Sequence, residues 1–220
     1  MTAVTDRHFI YFADPMCSWC YGFAPVVAAL ARQFEGRLGL RIVMGGLKPG
    51  EMRPMREKDR EYLRETWARV HEASGQPFND SFFDREAFTY DTEPSCRAVV
   101  AMRRLSPERT LPFLESVSSA FYAGNRDITS DDVLADLGAE AGIDRDRFAA
   151  ELASAECREA TLGDFLTAKQ SGIEGFPLLA AGTSETGYAL ITHGFRTIDG
   201  LPEAIETWLA EGAPVIAREA

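Results

Sequence analysis

His8-Phe9-Ile10-Tyr11-Phe12-Ala13-Asp14-Pro15-Met16-Cys17-Ser18-Trp19-Cys20-Tyr21-Gly22-Phe23 is the stretch of this 220-residue chain from which its architecture can be worked out. It opens on a nearly uninterrupted apolar and aromatic run, which suits a strand buried on both faces. Asp14-Pro15 breaks the run. After it, Phe23, Val26, Val27, Leu30 and Phe34 recur at helical spacing. Pro25 is expected to kink that helix after its first turn, and Gly36 to stop it. Two cysteines separated by two residues, between a strand and a helix start, suit reversible dithiol–disulfide chemistry. The unpaired N–H groups and positive dipole end of a helix start favour a thiolate on Cys17, and only the thiolate attacks. Cys20 follows one turn later, placed to resolve a mixed disulfide intramolecularly. Ser18 and Trp19, between them, offer a hydroxyl and an indole N–H to tune the pair.

Leu38 to Met44 reads as a second strand, ended by Gly45-Gly46. From 51 to 171 no strand is convincing. Helices are marked by Leu63, Trp67 and Val70; by Ala98, Val99, Met102 and Leu105; by Leu114, Val117 and Phe121; by Val133, Leu134, Leu137 and Ala141; by Phe148 and Leu152; and by Leu162, Phe165 and Leu166. Thr129 or Ser130 could cap the fourth. The aromatics of the irregular stretch 75–92 are expected to pack on these helices. Strands return at Leu178–Ala181, just after Phe176-Pro177, and at Tyr188–Thr192. Leu201, Ile205, Trp208 and Leu209 then mark a closing helix. The order is β-α-β, a helical block, then β-β-α. Neither end has strands enough for a stable sheet of its own. The expectation is one α/β unit from 5–50 and 172–215, interrupted by an all-helical insertion, 51–171.

The net charge is −11, with 34 acidic against 23 basic residues. That disfavours nucleic acid, whose phosphates attract Lys and Arg, and it disfavours anionic membrane surfaces. No apolar run approaches the ~20 residues of a membrane span. The first residues lack the basic start and apolar core of a secretory signal, so a cytoplasmic setting is expected. Four cysteines do not make a disulfide scaffold. Zinc would want four N or S ligands, but Cys96, Cys157, His8, His71 and His193 are scattered singly, so no metal is expected. Cys96 and Cys157 read as buried thiols, and His193 as a packing or edge residue.

The chain resembles the thioredoxin-fold proteins of the DsbA family, and most of all the FrnE-like, cytosolic protein-disulfide isomerases. The resemblance rests on Asp14-Pro15-Met16-Cys17-Ser18-Trp19-Cys20-Tyr21-Gly22-Phe23, on Glu93-Pro94-Ser95-Cys96-Arg97-Ala98 and on Gly172-Ile173-Glu174-Gly175-Phe176-Pro177. It implies a thioredoxin fold with a large helical insertion between its βαβ and ββα halves. It implies that Pro177 is cis and faces Cys17, and that Phe176 offers its backbone to an extended substrate. One position departs from the family. Relatives carry a buried acid six residues before the first cysteine, where this chain has Tyr11. Water or another group must then take the second cysteine's proton, or resolution is slower.

The function expected is thiol–disulfide exchange on protein or peptide thiols. Cys17 and Cys20 are catalytic, while Ser18, Trp19, Phe176 and Pro177 bind substrate or tune the site. No cofactor is required, though glutathione could serve as redox partner. The alternative is a glutathione-dependent transferase or small-molecule isomerase. It resembles the kappa-class and hydroxychromene-carboxylate isomerase group, which carries Ser in place of Cys17 and lacks the second cysteine. A third reading is a binding module with idle cysteines.

Overall fold

The computed structural model describes residues 7–211. Four strands form one sheet in the order β2-β1-β3-β4: β1 (His8–Ala13), β2 (Gly39–Met44), β3 (Leu178–Thr183) and β4 (Gly187–His193). β1 and β2 run parallel, Phe12 opposite Val43, and are joined by α1 (Ser18–Gln33). β3 lies antiparallel on the other side of β1, Phe12 opposite Leu178, and β4 pairs antiparallel with β3 across a bulge at Leu179/Ala180. The strands expected at both ends therefore share one sheet. α1 runs unbroken through Pro25.

Successive strand residues point to opposite faces, and the sheet is covered on both. Phe9, Tyr11, Ala13, Ile42, Met44, Leu179 and Ala181 join a large core with Val27 and Leu30 of α1 and with Ile205 and Trp208 of α8 (Leu201–Glu211). Ile10, Phe12, Val43 and Ala180 face the other way, onto Ala168 of α7 (Ala155–Gln170). That two-sided burial accounts for the apolar run in β1.

Between β2 and β3 the named elements are all helical. They are α2 (Glu57–Ser74), α3 (Glu93–Leu105), α4 (Thr110–Tyr122), α5 (Asp131–Glu140), α6 (Arg145–Ala153) and α7, with short 3-10 turns at Asp80–Asp84 and Pro107–Arg109. The aromatics of 75–92 pack inward, as expected. Phe78, Phe82 and Phe83 lie against Trp67, with ring centroids 4.9–5.2 Å apart. Ser130 does occupy the position before α5, but its side chain makes no capping bond. Thr129 bonds Asp127 instead. Gly22 lets α2 close onto α1, because a Cβ there would lie 2.8 Å from Val70 Cγ1.

Candidate active site

Cys17 is the N-cap residue of α1, in extended conformation, and no side chain caps the helix there. The first turn carries no acidic residue, so nothing negative within it offsets the dipole's positive end. Asp14 forms the loop that presents Cys17. Its backbone carbonyl accepts from the Cys17 N–H at 3.0 Å. Its fully buried carboxylate accepts from the N–H groups of Met16, 2.8 Å, and Leu47, 2.7 Å, and from the Cys96 thiol, 3.4 Å. Burial raises the Asp14 pKa, opposed by those same hydrogen bonds.

All the residues expected at the site meet there. The Cys17 thiol donates to the Phe176 carbonyl at 3.5 Å, and the Phe176–Pro177 bond is cis. The Phe176 ring covers the end of β2, where Gly45 makes the approach possible: a Cβ there would fall 2.0 Å from Phe176 Cζ. Ser18 is buried, and Trp19 leans on Phe195 with centroids 5.7 Å apart. Neither side chain donates to Cys17 among the described contacts, so the tuning expected of them is not seen as a hydrogen bond.

The two sulfurs have different surroundings. Cys17 lines a cavity of about 350 Å³ between the loop, α2 and Phe176, with Leu47, Met55, Tyr62 and Leu63 as apolar walls. Cys20, as buried as Cys17, does not line it. Burial, then a hydrogen bond to Cys17 and the charge there, push the Cys20 thiol well above its usual pKa. Tyr11 stands against Cys20 from β1, and burial and the charge of both cysteines keep its hydroxyl protonated. All four cysteines are free thiols.

Two further cavities adjoin. One of about 330 Å³ lies across Phe176, between Gly46, Phe165, Lys169 and Ile173. Another of about 450 Å³ shares Lys48, Met55, Asp59 and Tyr90 with the Cys17 cavity and adds Glu51, Arg53 and Arg56. Hydrogen bonds from Arg53 and Arg56 hold Glu51 and Asp59 ionised, each with a pKa of about 2.

Sequence reasoning gave Asp14 no role at the site, only a strand break and the first place in a motif. It also missed Tyr90, whose hydroxyl donates to the Met16 carbonyl at 2.5 Å. Glu93 and Arg97 of the second motif pair with each other at 2.8 Å, and Arg97 also bonds the Leu152 carbonyl, so that motif braces helices. Cys157 donates to the Arg97 carbonyl, away from Cys96 and its Asp14 partner. Among the described residues no group of three or more His, Cys, Asp or Glu is placed to hold a metal ion. No helix there is long and apolar enough to cross a membrane.

A family model described as Thioredoxin matches residues 10–199. The crystal structure of a candidate protein disulfide isomerase from Nitrosomonas europaea superposes with a TM-score of 0.87 at 36% identity, covering 94% of this chain and 99% of that one. The cytosolic disulfide reductase DsbM from Pseudomonas aeruginosa gives 0.75 at 27% identity over 92% and 98%, and has also been solved with GSH. The ClpXP adapter protein SpxH of Halalkalibacterium halodurans is 25% identical over 76% of this chain. The chain spans about half the length of the curated relatives it matches. The chain belongs to the thioredoxin family.

Proposed function

We propose that this protein is a thiol–disulfide oxidoreductase or isomerase that acts on protein or peptide thiols through Cys17 and Cys20. The observation that carries the reading is the asymmetry of the pair: both cysteines are buried, but Cys17 is the N-cap of a helix and lines a cavity, whereas Cys20, one turn on, does not line it. Cys17 is the nucleophile and Cys20 the resolving thiol. The Phe176 backbone, beside Pro177, is the rail on which an extended substrate lies. Cavities on both sides of Phe176 would take side chains flanking the substrate cysteine, and so favour a peptide over a lone small thiol. Glutathione is the small-molecule redox partner in this reading, supported by the DsbM structure solved with GSH. The setting is cytoplasmic, as for that reductase.

The test is reduction of an insulin-type disulfide. Cys17→Ser should abolish it, and Cys20→Ser should accumulate mixed disulfides with the substrate. Full activity in Cys17→Ser would refute the proposal. A second reading, a protease adapter, draws on the SpxH relatives. It predicts partner binding that survives Cys17→Ser.

A further inference from the structure

The cavity that Cys17 lines is walled mostly by apolar groups, and two of its lining residues carry a fixed charge, Lys48 and Asp59. Both also line the adjoining cavity of about 450 Å³, together with Glu51, Arg53 and Arg56. Most of these charges pair off. Arg53 donates to both carboxylate oxygens of Glu51, at 3.1 and 3.3 Å. Arg56 donates to both oxygens of Asp59, at 3.0 and 3.4 Å. Lys48 is left over. Its charge reaches Asp59, but it belongs to no ion pair among the described residues. The two cavities beside Cys17 therefore share one unmatched charge, and it is positive.

The backbone under Lys48 is pinned. Its N–H donates to Thr92 Oγ1 at 3.1 Å, and its carbonyl accepts from the Thr92 N–H at 3.2 Å. On either side, the N–H groups of Leu47 and Gly50 donate to the carboxylates of Asp14 and Asp91, each at 2.7 Å. The ammonium lies 5.8 Å from the centre of the Tyr90 ring, and a cation is attracted to a ring face. The Tyr90 hydroxyl in turn donates to the carbonyl of Met16, the residue before Cys17. One ring thus ties the position of the ammonium to the loop that carries the nucleophile. An ammonium has three donors, and among the described residues no protein acceptor bonds them.

We infer that Lys48 is a carboxylate-binding subsite for the half of the substrate that becomes attached to Cys17. The inference rests on the exchange proposed above and adds the charge of the substrate which that exchange selects. The Cys17 thiolate bonds to the sulfur of the carboxylate-bearing half, the substrate's own S–S bond breaks, and the other half leaves as a thiolate. The attached half lies with its apolar part against Leu47, Met55 and Leu63 and its carboxylate on the Lys48 ammonium. That carboxylate belongs either to an acidic residue beside a protein cysteine or to a small peptide thiol such as glutathione. The chain as a whole carries a net charge of −11, which by itself favours cationic substrates. A preference for anions at Cys17 therefore has to come from a local cation.

Iodoacetate and iodoacetamide differ by one negative charge and alkylate Cys17 without any disulfide exchange. The ratio of their capture rates, with the modified residue located by mass spectrometry, reads the subsite. Lys48→Gln should lower the iodoacetate-to-iodoacetamide ratio about fivefold, the scale of one exposed ion pair. Lys48→Glu should lower it further, Lys48→Arg should keep most of it, and added salt should shrink the difference between wild type and Lys48→Gln. An unchanged ratio in Lys48→Gln and Lys48→Glu overturns the inference, including the case in which both rates fall together because the loop has moved. Disulfides then give the source of the carboxylate. A fall in Lys48→Gln with oxidised glutathione, measured against hydroxyethyl disulfide, assigns it to the small peptide thiol. A fall confined to a peptide disulfide with Glu in place of Gln beside its cysteine assigns it to protein. A Lys48-dependent alkylation ratio in a protein that exchanges with none of these disulfides would refute the exchange reading and leave the subsite standing.

Discussion

The sheet-bearing ends of the chain and the helical stretch between them are built on different chemistry. In the ends, six- and seven-residue strands bury apolar side chains on alternate faces, and the Cys17–Cys20 pair follows β1 directly in sequence. The helical stretch is organised around rings that meet across long separations. Trp67 touches Phe78, Phe82, Phe83, Phe121 and Tyr122, drawing α2, the 3-10 turn and α4 into one cluster. In the proposed exchange the first region supplies the reacting atoms. The second supplies walls beside them: Met55, Asp59, Tyr62 and Tyr90 on the Cys17 side. A few polar bonds join the two. Asp14 ties the loop to Cys96, Tyr90 reaches Met16, and Arg103 and Asp164 clasp β2.

The severest challenge to this division is Trp67→Ala, which empties the centre of the ring cluster. A loss of ~3–5 kcal/mol is expected for a fully buried aromatic. Because one core runs through both regions, urea unfolding should remain a single transition by far-UV and near-UV circular dichroism. Two separate transitions would show that the helical stretch unfolds alone. Asp164→Ala attacks the seam instead. Asp164 accepts from the Met44 N–H at 2.9 Å and from both terminal nitrogens of Arg103, at 2.8 and 3.0 Å. Removing it leaves a half-buried guanidinium without its carboxylate, at a cost of about 3 kcal/mol. A midpoint shift as small as that of an exposed substitution would mean that this seam is dispensable.

The same division explains what could be read in advance. The strands and the Cys17–Cys20 pair declare themselves because their constraints are local, alternation and a helix start, whereas Pro177 reads locally as an ordinary strand opener and only the resemblance sets it against Cys17. The six helices of the middle stretch declare themselves by periodicity, but their partners do not. Nothing in the sequence distinguishes Glu115, whose Oε1 is buried without a hydrogen-bond partner among the described residues, from the many solvated acids of an acidic chain. Tyr90 sits in a stretch read as loop packing, and its bond to Met16 spans 74 positions. Asp14 was in plain view, yet its role depends on Leu47 and Cys96, which only the folded chain brings to it.

A gentler probe uses Cys157, the thiol of the helical stretch that is remote from the exchange chemistry. Burial pushes its pKa up to about 11. A thiol with a raised folded pKa stabilises the folded form fully below the unfolded value of ~8.5, and that contribution is lost as pH rises toward the folded value. The slope is about 1.4 kcal/mol per pH unit. Between pH ~8.5 and ~10 the reduced protein should lose about 2 kcal/mol that Cys157→Ala does not lose. Parallel pH profiles of urea midpoints for the two proteins would place the alkaline sensitivity elsewhere, with Cys20, Cys96 and Tyr11 next in line, since all three are raised well above their usual values by burial.

Tyr90→Phe makes the smallest change and asks the sharpest question. It removes one hydroxyl from the helical stretch and leaves the ring, with Lys48 still 5.8 Å above it. The Met16 carbonyl loses its partner one residue before Cys17, and the Tyr122 hydroxyl loses a neighbour at 3.3 Å. A single neutral hydrogen bond is worth about 1 kcal/mol, so the melting midpoint should fall slightly. If the middle stretch merely walls the cavity, iodoacetamide should capture Cys17 at the wild-type rate. If it also sets the loop, the capture rate should change, since the Cys17 sulfur moves with the peptide that Tyr90 holds. A fall in stability with no change in capture would confine the helical stretch to support. A change in capture would make it part of how the nucleophile is aimed.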